Sequence, residues 1–151
     1  MLYFAYGANM ERSAMKRRCP GAQPLGRALL RGWRYVIAQG YGSVALAPGV
    51  CVHGVLWRLT PRDLAALNAF ESLDSGLYHR AMLTVETGAQ KARALVYVGE
   101  QRGGRRPMPG YQERVIAAAE DWKLPPRYVA KLARLAPSYR AARPAETGEI
   151  A

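Results

Sequence analysis

The sequence predicts an α+β domain, and three features of it point that way. Apolar, β-prone runs bounded by glycine or proline recur at residues 3–6, 28–38, 51–59, 78–86 and 91–98. A capped helix start, Thr60-Pro61-Arg62-Asp63, interrupts them. Beyond residue 110 the apolar positions change to helical spacing. With 151 residues, 50% of them hydrophobic, the chain can bury one core without staples. A single domain is expected over residues 1–137, followed by a flexible tail at 138–151 that is polar, Ala-rich and carries Pro144 and Gly148.

Tyr3-Phe4-Ala5-Tyr6-Gly7-Ala8-Asn9-Met10 reads as strand, tight turn and helix. The turn has two readings: a strand that ends at a glycine, or a set of backbone N–H groups aimed at one anion. The helix is expected over residues 9–18, with Asn9 as cap, Glu11 in the first turn and Lys16-Arg17-Arg18 in the last, in the order the helix dipole favours. Cys19-Pro20-Gly21 stops it. A strand at 28–38, a turn marked by Gly40 and Gly42, and a short strand at 44–46 ending before Pro48-Gly49 come next. The run at 51–59 is apolar on nearly both faces, as a central strand requires.

The helix opened by Thr60 is expected to run to about residue 72. Leu64, Leu67 and Glu71 fall at i, i+3 and i+7, so a carboxylate shares the leucine stripe. If buried without a partner, Glu71 has a raised pKa and serves as a proton acceptor near neutral pH; if it fans outward, it is a solvated helix end or pairs with an arginine. Residues 78–86 and 91–98 form a hairpin through Thr87-Gly88-Ala89-Gln90. Residues 101–107 form an exposed, mobile basic loop. A helix at 111–123 begins after Pro109-Gly110. Another opens at Pro125-Pro126, buries Tyr128, Val129, Leu132 and Leu135, and ends at Pro137.

Net charge is +11, from 22 Lys and Arg against 11 Asp and Glu, which raises nucleic acid or an anionic membrane surface as partners. The basic residues are dispersed, however, with no aromatic or glycine-rich signature among them, so specific nucleic-acid binding is not expected and compositional bias serves equally well. Cys19 and Cys51 lie far apart without C-x-x-C partners, and His53 and His79 lack companion acids at ligand spacing; no metal site or disulfide framework is indicated and both histidines read as structural. A reducing, cytoplasmic setting without a membrane segment follows as the expectation. No G-x-S-x-G, phosphate-binding loop, H-E-x-x-H or dinucleotide fingerprint is present. One carboxylate, one backbone turn and tyrosines remain, which suit proton transfer on a small anionic substrate.

The opening octapeptide resembles the Y-F-A-Y-G-S-N-L signature of the gamma-glutamylcyclotransferase family. Four more blocks match in order: Gly54-Val55-Leu56-Trp57; Leu67, Glu71, Gly76 and Tyr78; Tyr111; and Leu124-Pro125 with Tyr128, Leu132 and Pro137. The likeness spans about residues 2–137. It implies a small, mixed, barrel-like sheet with helices around it and a cavity at one end. It implies further that Glu71 is the catalytic acid/base, that Tyr3, Phe4, Ala5, Tyr6, Gly7, Ala8 and Asn9 form the substrate-binding stretch, and that Tyr111 contacts substrate. The substrate implied is a small γ-glutamyl compound, cyclised to 5-oxoproline without a cofactor. The turn's N–H groups would hold either its carboxylate or the developing oxyanion. Relatives acting on a γ-glutamyl-protected metabolite or γ-glutamylamine, and a catalytically silent basic binding protein on the same scaffold, are the alternatives. Three positions depart from the family pattern. Ala8 replaces serine, leaving only the backbone N–H; Ser72 replaces a common glycine; and Phe70 replaces a polar residue, making the surroundings of Glu71 more apolar.

Overall fold

The computed structural model describes residues 1–71, 78–99 and 106–137. The stop at Gly76, most of the 101–107 loop and the 138–151 tail fall outside these residues, whereas the helix expected to reach about residue 72 ends at Phe70 with Glu71 as its cap. Five strands, β1 (Leu2–Ala5), β2 (Gln23–Ala38), β3 (Tyr41–Arg58), β4 (Tyr78–Thr87) and β5 (Gln90–Gly99), close into a barrel in the order β1-β3-β2-β4-β5. Neighbours are antiparallel except β1 and β5, whose parallel pairing at Tyr3 and Leu95 closes the ring. Four α-helices, α1 (Arg12–Arg18), α2 (Pro61–Phe70), α3 (Tyr111–Asp121) and α4 (Pro126–Ala133), surround it. The mixed, barrel-like α+β architecture is thus the one expected. No helix among the described residues is long and apolar enough to cross a membrane.

The β2–β3 hairpin is longer than the local signals indicate. Its turn is Gln39-Gly40, with φ of 55° and 89°, the left-handed pair that a tight hairpin turn takes. Gly42 lies inside β3 rather than in the turn. The separate strand expected at 44–46 is also absent: β3 runs through Pro48-Gly49, because a register shift lets residues 47–50 bulge opposite Gly32. At a bulge, proline's missing N–H removes no ladder bond. The β4–β5 hairpin turns at Gly88-Ala89 as its sequence indicates.

The apolar faces meet in one core that includes Phe4, Leu30, Val52, Val55, Val85 and Val96 from the barrel and Val115, Ala119 and Leu132 from the helices. On α4, Tyr128 and Leu132 are buried as expected and Val129 is only half-buried; the helix ends at Ala133 rather than Pro137, which leaves Leu135, also half-buried, beyond it. Two attachments matter for the site. The Thr60–Asp63 capping box starts α2, and fully buried Leu67 anchors it. The Trp122 indole donates to the Met10 carbonyl at 2.7 Å and meets Trp57 edge-on, tying the end of α3 to the segment after β1.

Candidate active site

A cavity of about 380 Å³ opens where β1, α2 and α3 converge. Among the described residues six tyrosines line it: Tyr3, Tyr6, Tyr41, Tyr78, Tyr97 and Tyr111. Glu71 enters from the C-terminal cap of α2, and Arg18 and Arg114 complete the cationic side. Burial pushes the Glu71 carboxyl up to about 7 from an ordinary 4.5, opposed in part by the Arg18 charge. The Asn9 amide is a polar partner of it: Nδ2 lies 3.4 Å from Oε1 and donates to the Tyr3 hydroxyl at 3.0 Å. Arg18 donates in turn to Asn9 Oδ1. Burial, with the Glu71 charge nearby, raises the hydroxyls of Tyr3, Tyr78 and Tyr97, so these groups face the carboxylate as neutral phenols.

Asn9 was expected to cap a helix, but it sits inside a 3₁₀ turn, Ala8–Met10, and makes no capping bond. Glu11 takes the cap position of α1 instead of its first turn. The amide of Asn9 is spent on Tyr3, Glu71 and Arg18, a tertiary network stronger than one local N–H. Gly7 has a negative φ of −124°, so left-handed freedom is not what it supplies. A Cβ there would come within 2.7 Å of the Tyr111 hydroxyl, and one on Gly42 within 3.0 Å of the same oxygen. Gly7 therefore clears a seat for Tyr111, and Gly42 clears one for both Tyr111 and Tyr35, whose hydroxyl would lie 2.6 Å from the added carbon. The backbones of Gly42 and Ala8 hydrogen-bond that hydroxyl; because they lower its burial-raised pKa, they act as N–H donors to it.

Residues 3–124 match the family model described as Gamma-glutamyl cyclotransferase, AIG2-like. The chain belongs to this family. Membership makes it an enzyme of the cyclising type. It is 27% identical to the gamma-glutamylcyclotransferase of Homo sapiens, over 91% of this chain and 79% of that one. YkqA of Bacillus subtilis (strain 168) is 29% identical over 87% of this chain, which spans only half of YkqA. Two solved structures share the fold. One named Gamma-glutamyl cyclotransferase superposes with a TM-score of 0.84 at 24% identity, covering 90% of this chain and 88% of that chain. YkqA from Bacillus subtilis gives 0.76 at 27% identity, covering 89% and 53%.

Within this gamma-glutamyl cyclotransferase domain, Tyr3, Tyr6, Gly7, Ala8, Asn9, Glu71 and Tyr111 all reach the cavity. Phe4 and Ala5 do not line it: Phe4 points to the face of β1 opposite Tyr3 and is fully buried in the core, and Ala5, on the Tyr3 face, carries only a buried methyl. Ser72 lies outside the described residues. His53 packs edge-on against Tyr128, and neither histidine lines the cavity. Sequence reasoning missed Arg18, Arg114, Tyr41 and Tyr97 as site residues. Tyr78 stood in a matched motif block but was not given a role. Tyr41 opens β3 and Tyr97 lies two residues before the end of β5, so a search for tyrosines at strand ends would have found both, while nothing local marks Arg114 among so many arginines.

Proposed function

We propose that the protein cyclises a γ-glutamyl amide to 5-oxoproline and releases the attached amine, with Glu71 as general base and then general acid. The observation that carries this is a half-buried carboxylate raised to about 7 on the wall of a tyrosine-lined cavity. The α-amino nitrogen of the glutamyl group attacks its own γ-carbonyl carbon. One C–N bond forms and the bond to the leaving amine breaks. Glu71 takes the proton that the attacking nitrogen must lose and returns it to the departing nitrogen, so the carboxylate is regenerated. Nucleophile and electrophile belong to one molecule, so the site's main task is to hold that molecule folded.

Gly7, Ala8 and Asn9 contribute through the backbone, since Ala8 has no hydroxyl. With the Ala8 N–H directed at Tyr111, the turn acts together with that tyrosine: two N–H groups polarise a phenol that then faces the glutamyl oxygens. Tyr3 acts beside Glu71, where its hydroxyl accepts from Asn9 and keeps its own proton for the substrate. A reducing, cytoplasmic setting fits the two free thiols, Cys19 and Cys51.

Incubation with γ-glutamyl dipeptides, glutathione and γ-glutamylamines, with 5-oxoproline read by mass spectrometry, tests the activity; absence of product from every compound refutes it. Glu71→Gln, which keeps size and the Asn9 contact, is expected to lower kcat by about 10²–10⁴-fold. A folded Glu71→Gln protein with full activity would show that another group moves the proton.

A further inference from the structure

The tyrosines and Glu71 furnish the inner part of the cavity, and its mouth has a different chemistry. Phe70 and Tyr41 both line the cavity yet stay 47% and 44% exposed. Tyr41 stands edge-on to Tyr111, with ring centroids 5.3 Å apart, so its position is set by the site itself. Phe70 immediately precedes Glu71 at the end of α2, beside the carboxylate that must reach the substrate nitrogen. Aromatic rings left half in water on both sides of an opening are surface that a ligand can cover.

Two guanidinium groups share this mouth. Arg18 lies over the Phe70 ring at 3.8 Å and is held by Asn9. Arg114 is about half exposed and reaches Glu11 Oε2 with Nε and Nη2, both at 3.3 Å. Among the described residues no carboxylate forms a salt bridge with Arg18. Arg114 shares Glu11 with Arg17, whose Nη2 lies 4.0 Å from Oε1, and Arg18 faces the Glu71 charge without an ion pair to it.

Resting on the cyclotransferase reading, we infer that this mouth is a leaving-group subsite that selects γ-glutamyl amides of amino acids with large apolar or aromatic side chains. The orientation follows from the chemistry: the α-amino group must reach Glu71 in the wall, so the glutamyl part lies inward and the bond that breaks faces out. Phe70 and Tyr41 cover the released amino acid's side chain, and Arg18 with Arg114 takes its carboxylate. A glycine leaving group leaves the rings wet. An amine without a carboxylate leaves the guanidiniums without their anion. A pocket of this kind separates substrates by the apolar surface they bury and by the charge they supply.

The test compares 5-oxoproline release from γ-glutamyl-phenylalanine, γ-glutamyl-glycine and γ-glutamyl-phenethylamine by the full chain. The phenylalanine compound is expected to exceed each of the others by about tenfold or more in kcat/KM. Phe70→Gln should collapse its advantage over glycine, mainly through KM, and Arg114→Gln its advantage over phenethylamine. Equal kcat/KM for all three, or a preference for glycine or the amine, overturns the subsite while leaving cyclisation standing. Unchanged ratios in both variants also overturn it. No product from any of the three overturns the subsite, and no product from glutathione and the other γ-glutamyl compounds as well refutes the cyclotransferase reading itself, a separate outcome.

Discussion

Asp63 and Glu71 stand at opposite ends of α2, and their carboxyls ionise on opposite sides of the ordinary carboxylate range. Both are withdrawn from water. At the N-terminus burial raises Asp63, but bonds from the Thr60 backbone and side chain and from the Gly21 N–H outweigh it and hold the group low. At the C-terminus, among the described residues, Glu71 accepts a long contact from Asn9, and burial prevails over the Arg18 charge so that the group rises to about 7. The helix dipole works in the same sense at both ends, favouring the anion at Asp63 and opposing it at Glu71. The difference teaches that burial by itself does not raise a carboxyl: what distinguishes Glu71 is burial without enough donors.

The largest expected break in this contrast is in the pH dependence of stability. Glu71 has a folded pKa raised above its unfolded value, so its favourable contribution is complete below about 4.5 and is lost as pH rises through about 7. Glu71→Gln, neutral throughout, should gain on the parent across that window and become more stable at pH 8 by up to about 3 kcal/mol. Urea denaturation at pH 4 and pH 8 measures this, and an equal difference at both pH values would contradict it. Loss of activity coupled to gain of stability is the pattern expected of a strained reactive group.

Asp63 should behave in the opposite way. Asp63→Ala leaves the Thr60 and Gly21 N–H groups without their acceptor and is expected to cost about 2 kcal/mol, seen as a lowered Tm. The parent's contribution from Asp63 is present above the unfolded carboxylate range and disappears as pH falls through the depressed folded value. The penalty of the substitution should therefore shrink in acid. The pH profile of kcat/KM should be that of the parent, since Asp63 does not face the cavity.

The smallest effect sharpens the comparison from the Glu71 side. Arg18 is the charge that restrains the rise of Glu71, so Arg18→Met should move the ascending limb of kcat/KM to higher pH. A limb that stays in place would mean that Glu71 does not set it. Because Arg18 also contacts Asn9, some loss of activity at the plateau is expected alongside the shift.

Much of the fold was legible because its signals are local. The Thr60-Pro61-Arg62-Asp63 box, the Gly88-Ala89 hairpin and the helical spacing after Tyr111 each act within a few residues, and each element formed where its signal lay. Bulges answer to the partner strand instead, and Pro48-Gly49 therefore misled as a strand end. In the site, Glu71 was legible as an acid on a leucine stripe, and Tyr3 and Tyr111 through family resemblance. The stripe left open whether the carboxylate would be wet or dry. Phe4 and Ala5 could not be separated from Tyr3 and Tyr6 by pattern, because a strand covered on both faces shows no alternation.

By itself, then, the sequence determined which segments become strands and helices, and it placed a carboxylate at the end of an amphipathic helix. Only the tertiary structure decided that this carboxylate would be proton-sharing near neutrality. Closing the barrel brought Tyr3, Tyr78 and Tyr97 around it, and α1 returned Arg18 to its edge. A pKa is set by the surroundings of the charge, and those surroundings come from parts of the chain far apart in sequence.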